Sequence, residues 1–488
     1  MDKKIFNKYV EQGYNHIPVY KTVSIDADED VALNLYLRLA NGAYSYLFES
    51  VEGGAKWGRY SVVGLKADRL IKVFDYDISI EQQGAILETH TVSDPLIWIE
   101  QYLSKYRVPK LEQLPDFNGG LVGYFGYEIV RYIEPKLANI NKPDELNTPD
   151  ILLMLSNDLI VFDNVLNQAF VMTHIDPNTQ SYEEAQVRLE EITVQIQTLQ
   201  PENQMPYQSD NIREQDFVSS FGEEDYKNAV SKIQTYIVAG DVMQVVPSQR
   251  LSTKFSAPPI EFYKQLRKLN PSPYMYYLNL GDTFIAGSSP EILTRVDSDR
   301  RATVRPLAGT RPRGKDKAED LALEKELLAD EKEIAEHLML IDLGRNDLGR
   351  IAKIGSVKVT DKMTIERYSH VMHIASNVEC ELQAGMSAMD VLKATFPAGT
   401  LSGAPKVRAM EIINEFEPVK RNIYSGAIGY LSWHGCMDVA IAIRTAVIKD
   451  EVLYLQAGAG VVYDSVAQSE WDETMHKARA LIKTAEQV

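Results

Sequence analysis

The chain has 488 residues, 45% hydrophobic and 25% charged, with a formal net charge of −18. That length allows two domain-sized halves or one large composite fold, and the acidic balance argues against a nucleic-acid or anionic-membrane partner, which would need basic surface. The two cysteines, Cys380 and Cys436, fit a reducing cytoplasm better than a disulfide framework, and no apolar run approaches a membrane span.

In chain order, residues 28–41 read as a helix with Val31, Leu35 and Leu39 on one stripe. Residues 44–50, 59–64 and 70–74 read as strands, with Gly53-Gly54 turning the chain between the first two. Residues 94–106 form a predicted helix that Asp94 caps and Pro95 opens. The glycine-rich run 119–126 reads as a buried strand whose glycines admit neighbouring backbone closely. Residues 151–162 and 169–174 continue the sheet, and 181–199 is helical. Residues 201–215 are polar, carry Pro201 and Pro206 and lack periodicity, so they are the candidate linker between an N-terminal domain, 1–200, and a second domain, 216–488. Beyond it a helix at 223–240, a strand at 242–251 and a helix at 259–270 lead into alternating elements that end in a helix at 464–486. Residues 425–431 echo 119–125, as diverged copies or as glycine-rich strands alike only in composition. The expected class is α+β, with two sheets packed face to face and helices outside.

Two acidic helical stretches invite a chemical reading. Glu333 and Glu336 share a helical face in a segment, 330–347, expected to begin as helix and end in a polar turn. Glu470, Glu473 and Lys477 repeat the device in a helix whose Val466, Met475, Ala478 and Leu481 point to a core. Each pair is a solvated face or, if the two helices meet, part of a site for a hard cation such as Mg²⁺, which takes a few carboxylates plus water and substrate oxygens. Residues 306–314 offer Gly309 and Thr310 with cations close behind, as an anion cradle or a basic turn. Thr400 lies at a helix entrance suited to a carboxylate, or to ordinary capping by Ser402. Arg444 interrupts an apolar strand and needs a partner, either a substrate carboxylate or an internal acid. Small residues at Gly458-Ala459-Gly460 let a ligand lie against the backbone. On a strand, alternation aims one of His370 and His373 at the same cavity, although a strand histidine is usually structural.

Eight ordered motifs, among them PLAGTRPRG at 306–314, DEKEIAEHLMLIDLGRND at 330–347, TLSGAPKVRAM at 400–410, IAIRTA at 441–446 and SEWDET at 469–474, resemble the chorismate-utilising enzymes. Within these the chain is most similar to the large subunits of anthranilate synthases, from about residue 44 to 477. The resemblance implies Mg²⁺ on Glu336 and Glu473, supported by Glu333 and Glu470. It implies chorismate held by Gly309, Thr310, Tyr424, Arg444, Gly458, Ala459, Gly460 and Lys477, with Thr400 lining the pocket. Glu291 matches the general acid for the departing hydroxyl, and His373 the histidine of the pyruvate-elimination half. Gln244 stands where isochorismate-forming relatives place a lysine base, and Ala308 where aminodeoxychorismate synthases commonly carry a lysine, so both point to anthranilate. Ser50, beside Glu49, and Pro273-Tyr274-Met275 match a tryptophan feedback site. Neither cysteine has a glutaminase context, which implies ammonia from a separate glutamine amidotransferase subunit in a cytoplasmic hetero-oligomer. The alternatives are an aminodeoxychorismate synthase and a regulatory protein that binds chorismate or tryptophan without turnover.

Overall fold

Strands from both ends of the chain interleave in the computed structural model, which describes all residues except 26–29, 51–58, 140–141, 198–206, 208 and 369–370. One eleven-stranded sheet runs from Ile17–Ser24 to Val218–Ser219, and a second from Lys358–Val359 to Ala85–Thr91. In the first, Ser45–Glu49 pairs with Tyr274–Asn279; in the second, Gly120–Phe125 pairs with Ala427–Ser432. Both sheets therefore continue across the 201–215 segment, much of which lies outside the described residues. So do the expected Gly53-Gly54 turn and His370.

The sheets pack face to face because alternate side chains of each are apolar toward the other. Tyr46, Val62 and Ile285 of the first meet Val122, Met154 and Ile428 of the second in one buried cluster. Helices cover the outer faces. Val31–Leu39, Tyr182–Gln197, Pro259–Leu269 and Ala467–Glu486 lie on the first sheet, while Pro95–Leu103, Glu331–Gly349 and Ala388–Thr395 lie on the second. The α+β class with two packed sheets is thus the observed architecture. Asp94 caps its helix as expected, accepting from the N–H groups of Leu96 and Ile97.

The two glycine-rich runs that echo each other are adjacent strands, with Gly123 directly opposite Gly429. A methyl group at Gly123 would stand 2.0 Å from the Leu152 carbonyl oxygen, and one at Gly429 2.0 Å from that of Asp438. Backbone fills the space a side chain would need. Gly123→Ala is therefore expected to destabilise the protein by about 3 kcal/mol or more, read as a fall in the midpoint of thermal unfolding.

Several expected boundaries shift. Residues 151–162 are two strands, Ile151–Ser156 in the second sheet and Asp158–Asp163 in the first, so the chain crosses between sheets at Asn157. Residues 242–251 break at Pro247, which has no N–H to give a ladder, into Gln244–Val245 and Ser248–Lys254. The acidic helix Glu331–Gly349 does not end in a polar turn at 344–347; Gly344, Asp347 and Leu348 are buried in it, with Asp347 neutralised by Lys406 at 2.7 Å. Val466 precedes its helix and is exposed, because the core-facing stripe begins only later, at Met475, Ala478 and Leu481.

Candidate active site

The catalytic candidates gather where strand ends of both sheets meet the Glu331–Gly349 helix and the Gly399–Ser402 turn. Glu291 sits between the strands Thr283–Ser289 and Ile292–Val296 and is buried. Its carboxylate accepts from the Leu307 N–H and the Thr400 hydroxyl, each at 3.4 Å. These long bonds and distant cations do not offset desolvation, and burial pushes the carboxyl up to about 8. Glu291 is therefore protonated at neutral pH. Glu291 and Thr400 line a small cleft floored by Leu340, Leu343 and Gly344 of the acidic helix.

Arg444 lies in a bend between Met437–Ile441 and Thr445–Lys449, not within a strand, and its φ of 47° lies in the left-handed region. Its carbonyl accepts from the Ser288 N–H, which keeps the bend beside Glu291. No ion pair or hydrogen bond to its guanidinium occurs among the described residues; burial lowers its pKa, opposed by Tyr368 and Glu291 nearby. A desolvated, unpaired guanidinium is a receptor for an anion.

Residues 307–312 form the strand Leu307–Pro312, not a basic turn, and pair with Val371–Ala375. The ladder slips between Ala308 and Thr310, and Gly309 takes a φ of 66° in that bulge. His373 is buried, and its Nδ1 faces the Thr310 hydroxyl at 3.0 Å and the Gly309 carbonyl at 3.2 Å. Burial, with Arg444 adding to it, lowers the imidazole to about 4, so His373 is neutral at pH 7. A methyl group at Gly309 would lie 3.2 Å from the Glu333 carboxylate, which brings cradle and acidic helix together.

A second group of residues adjoins the first. Gln244 donates to the Glu336 carboxylate at 3.2 Å, and a methyl group at Gly460 would meet the same amide nitrogen at 2.6 Å. At Gly458 a methyl group would stand 3.1 Å from the Tyr424 hydroxyl, and the Gly458 carbonyl accepts from Lys477. Lys477 in turn pairs with Glu473 at 2.7 Å. Ala459 is fully buried, with its N–H bonded to the Pro247 carbonyl. Ser402 caps nothing; its hydroxyl bonds back to the Ala398 carbonyl, and Pro405 precedes the helix Lys406–Phe416 without a side-chain cap.

Lys332, beside Glu333, lies with its Nζ 3.7 Å from Asp464, which precedes the helix Ala467–Glu486 that carries Glu470 and Glu473. Burial and Glu336 raise the pKa of Glu333, and burial with Glu473 raises that of Glu470. Half-desolvated carboxylates held three residues apart fit a hard cation. No cage of three or more His, Cys, Asp or Glu side chains forms among the described residues, so substrate and water oxygens would have to complete the coordination of any such cation.

Away from this cluster, Ser50, Pro273, Tyr274 and Met275 line a cavity of about 500 Å³ between the sheets. Asp438 in its wall accepts from the Tyr274 hydroxyl at 3.2 Å and from Arg295 Nε at 2.8 Å. Glu49 lines it too, but its carboxylate is held by the Tyr263 hydroxyl at 2.6 Å and Arg267 Nε at 3.1 Å.

A profile of chorismate binding enzymes matches residues 56–483. The chain belongs to the chorismate binding enzyme family. Within that family it is 54% identical to anthranilate synthase component 1 of Pseudomonas aeruginosa over 99% of this chain and 98% of that one. It is 46% identical to the protein of that name in Aquifex aeolicus, covering 98% and 96%. The crystal structure of anthranilate synthase component I from Streptococcus pneumoniae superposes with a TM-score of 0.77 at 37% identity, covering 88% of this chain and 93% of that one. The menaquinone-specific isochorismate synthase of Escherichia coli shares the fold, with a TM-score of 0.70 at 19% identity over 99% and 98% of the two chains. The family's fold thus brings Tyr368, beside Arg444 and Glu291, into a site for which sequence gave it no role. Its neighbours Ser369 and His370 lie outside the described residues.

Proposed function

We propose that this chain is the large subunit of an anthranilate synthase, converting chorismate and ammonia to anthranilate, pyruvate and water in tryptophan biosynthesis. The observation that carries the reading is a pair of complementary groups, a buried, neutral Glu291 and a half-buried Arg444 whose guanidinium has no ion-pair or hydrogen-bond partner among the described residues. A dianionic substrate with a hydroxyl leaving group needs both a cation and an acid. Near-complete coverage of proteins named anthranilate synthase component 1 supports the same choice.

In this mechanism Arg444 receives one substrate carboxylate through charge-assisted hydrogen bonds. Glu291 gives its proton to the departing C4 hydroxyl, which leaves as water as ammonia adds at C2. With Nδ1 engaged by Thr310 and Gly309, His373 keeps Nε2 as the nitrogen able to accept a proton when C2 is deprotonated and pyruvate is expelled. Tyr424, Gly458, Gly460 and Lys477 shape the remaining wall. Glu336 and Glu473, supported by Glu333 and Glu470, would hold Mg²⁺, whose chemistry is to neutralise a substrate carboxylate. Gln244 is no base, which suits ammonia, already nucleophilic, better than water. A separate glutamine amidotransferase subunit supplies that ammonia in a cytoplasmic hetero-oligomer, a setting that two free buried thiols suit.

The cavity lined by Ser50, Pro273, Tyr274 and Met275 is the proposed tryptophan site, large enough for a ligand of that size. Ser50→Leu, which would fill part of it, is expected to raise the inhibitory tryptophan concentration at least about tenfold, with uninhibited kcat within about twofold. Inhibition curves with and without the substitution check this.

The function itself is tested by incubating the purified chain with chorismate, ammonium and Mg²⁺, following fluorescence and confirming the product by mass. Anthranilate that disappears with chelator is the expected result. A non-aromatic amino adduct would indicate an aminodeoxychorismate synthase, and no conversion would indicate a binding protein.

A further inference from the structure

Arg421 is buried with 2% exposure, and every one of its guanidinium hydrogens is used. Nε and Nη2 form a bidentate pair with the buried Glu417 carboxylate at 2.9 and 2.6 Å. The second Nη2 hydrogen goes to the Val246 carbonyl at 2.7 Å. Nη1 donates to the Leu401 carbonyl at 2.8 Å and to the Ser425 hydroxyl at 3.1 Å. Glu417 also accepts from the Ser248 N–H and hydroxyl at 2.7 and 2.8 Å.

Apart from Glu417, the acceptors Leu401, Val246 and Ser425 belong to three separate segments, and each neighbours a residue of the site. Leu401 follows Thr400, whose hydroxyl bonds Glu291; Val246 lies two residues from Gln244, which holds Glu336; Ser425 follows Tyr424. One planar group with five donors in fixed directions can hold two backbone carbonyls and a side-chain hydroxyl at once, whereas an ammonium has three donors at a single point. A generic core would gain as much stability from apolar side chains, so a buried ion pair at this junction points to a fixed geometry.

We propose that Arg421, locked to Glu417, is a positioning residue that sets the Thr400 turn, the Gln244 segment and Tyr424 in the one arrangement that turnover requires. The proposal rests on the chorismate-converting reading of the site.

The test is Arg421→Lys, assayed with chorismate, ammonium and Mg²⁺ across pH. Expected are a kcat at least about 30-fold lower, with the chorismate KM changed less than about threefold. The alkaline limb of the kcat profile should also move upward, because the Thr400 bond that holds the Glu291 pKa down is loosened. A kcat within about threefold of wild type overturns the proposal. So does a loss that only follows the folded fraction seen by circular dichroism while the pH limb stays in place. Should the lysine variant not fold, Ser425→Ala deletes one acceptor alone; a kcat about fivefold lower supports the proposal and an unchanged kcat overturns it. Wild-type product formation in the same assay decides the function separately, and the variant ratios are read on whichever chorismate product the wild type forms.

Discussion

Glu291→Gln is expected to lower kcat by about 10²–10⁴-fold, the range for losing a general acid, with chorismate KM within about threefold. The amide keeps the shape of the neutral carboxyl and still accepts from Thr400 and Leu307, but it has no proton to give. Because burial places the wild-type group near 8, wild-type kcat should fall as pH rises through that value. Stability should fall in the same direction, over a lower pH range. The folded pKa lies above the unfolded value of 4.5, so below that pH the carboxyl is neutral in both states and contributes nothing. Between the two values the unfolded chain binds fewer protons, and wild-type stability declines up to about pH 8. The glutamine variant escapes that decline. It should unfold at a higher temperature than wild type at pH 8 and at the same temperature at pH 4, and a variant that is dead but no more stable at pH 8 would contradict the assigned protonation state.

Glu473→Ala should abolish Mg²⁺-dependent turnover, a loss of at least about 100-fold, while tryptophan still binds with unchanged affinity. Glu473 is part-exposed and engaged only with Lys477 among the described ion pairs, so its carboxylate is free to turn toward a cation and substrate. The cavity proposed for tryptophan has a different lining and should not sense the change. Calorimetric titration of Mg²⁺ into the chorismate-bound variant gives a reading independent of rate. Normal turnover, or unchanged Mg²⁺ binding, would remove Glu473 from the metal site.

The elements with strong local signals were legible in the sequence. Periodicity marks the helix Pro259–Leu269, and Asp94-Pro95 mark the start of another. The break at Asn157 was not legible, because Ile151–Ser156 and Asp158–Asp163 are nearly continuous apolar runs; only tertiary packing decides which sheet each joins. Glu291 was named from motif resemblance alone, and Thr400, His373 and Arg444 from their local pattern as well; the structure places them near one another. What resemblance could not supply is their electrostatic state, which depends on burial and on partners distant in sequence. Arg421 escaped notice for a local reason: between Lys420 and Asn422 it reads as one charge in a solvated turn, and only the fold shows it enclosed.

The pairing of Gly120–Phe125 with Ala427–Ser432 also has a bearing on how the protein is made. A ribosome extends the chain in one direction, so the early strand waits for a partner roughly 300 residues away. At about 5–20 residues per second that wait lasts about 15–60 s. Throughout it, the N-terminal portions of both sheets carry open edges and uncovered apolar faces, a template for aggregation. A nascent chain of this topology needs shielding until Ala427–Ser432 emerges, and its yield should depend more on chaperone supply than on the stability of the finished fold.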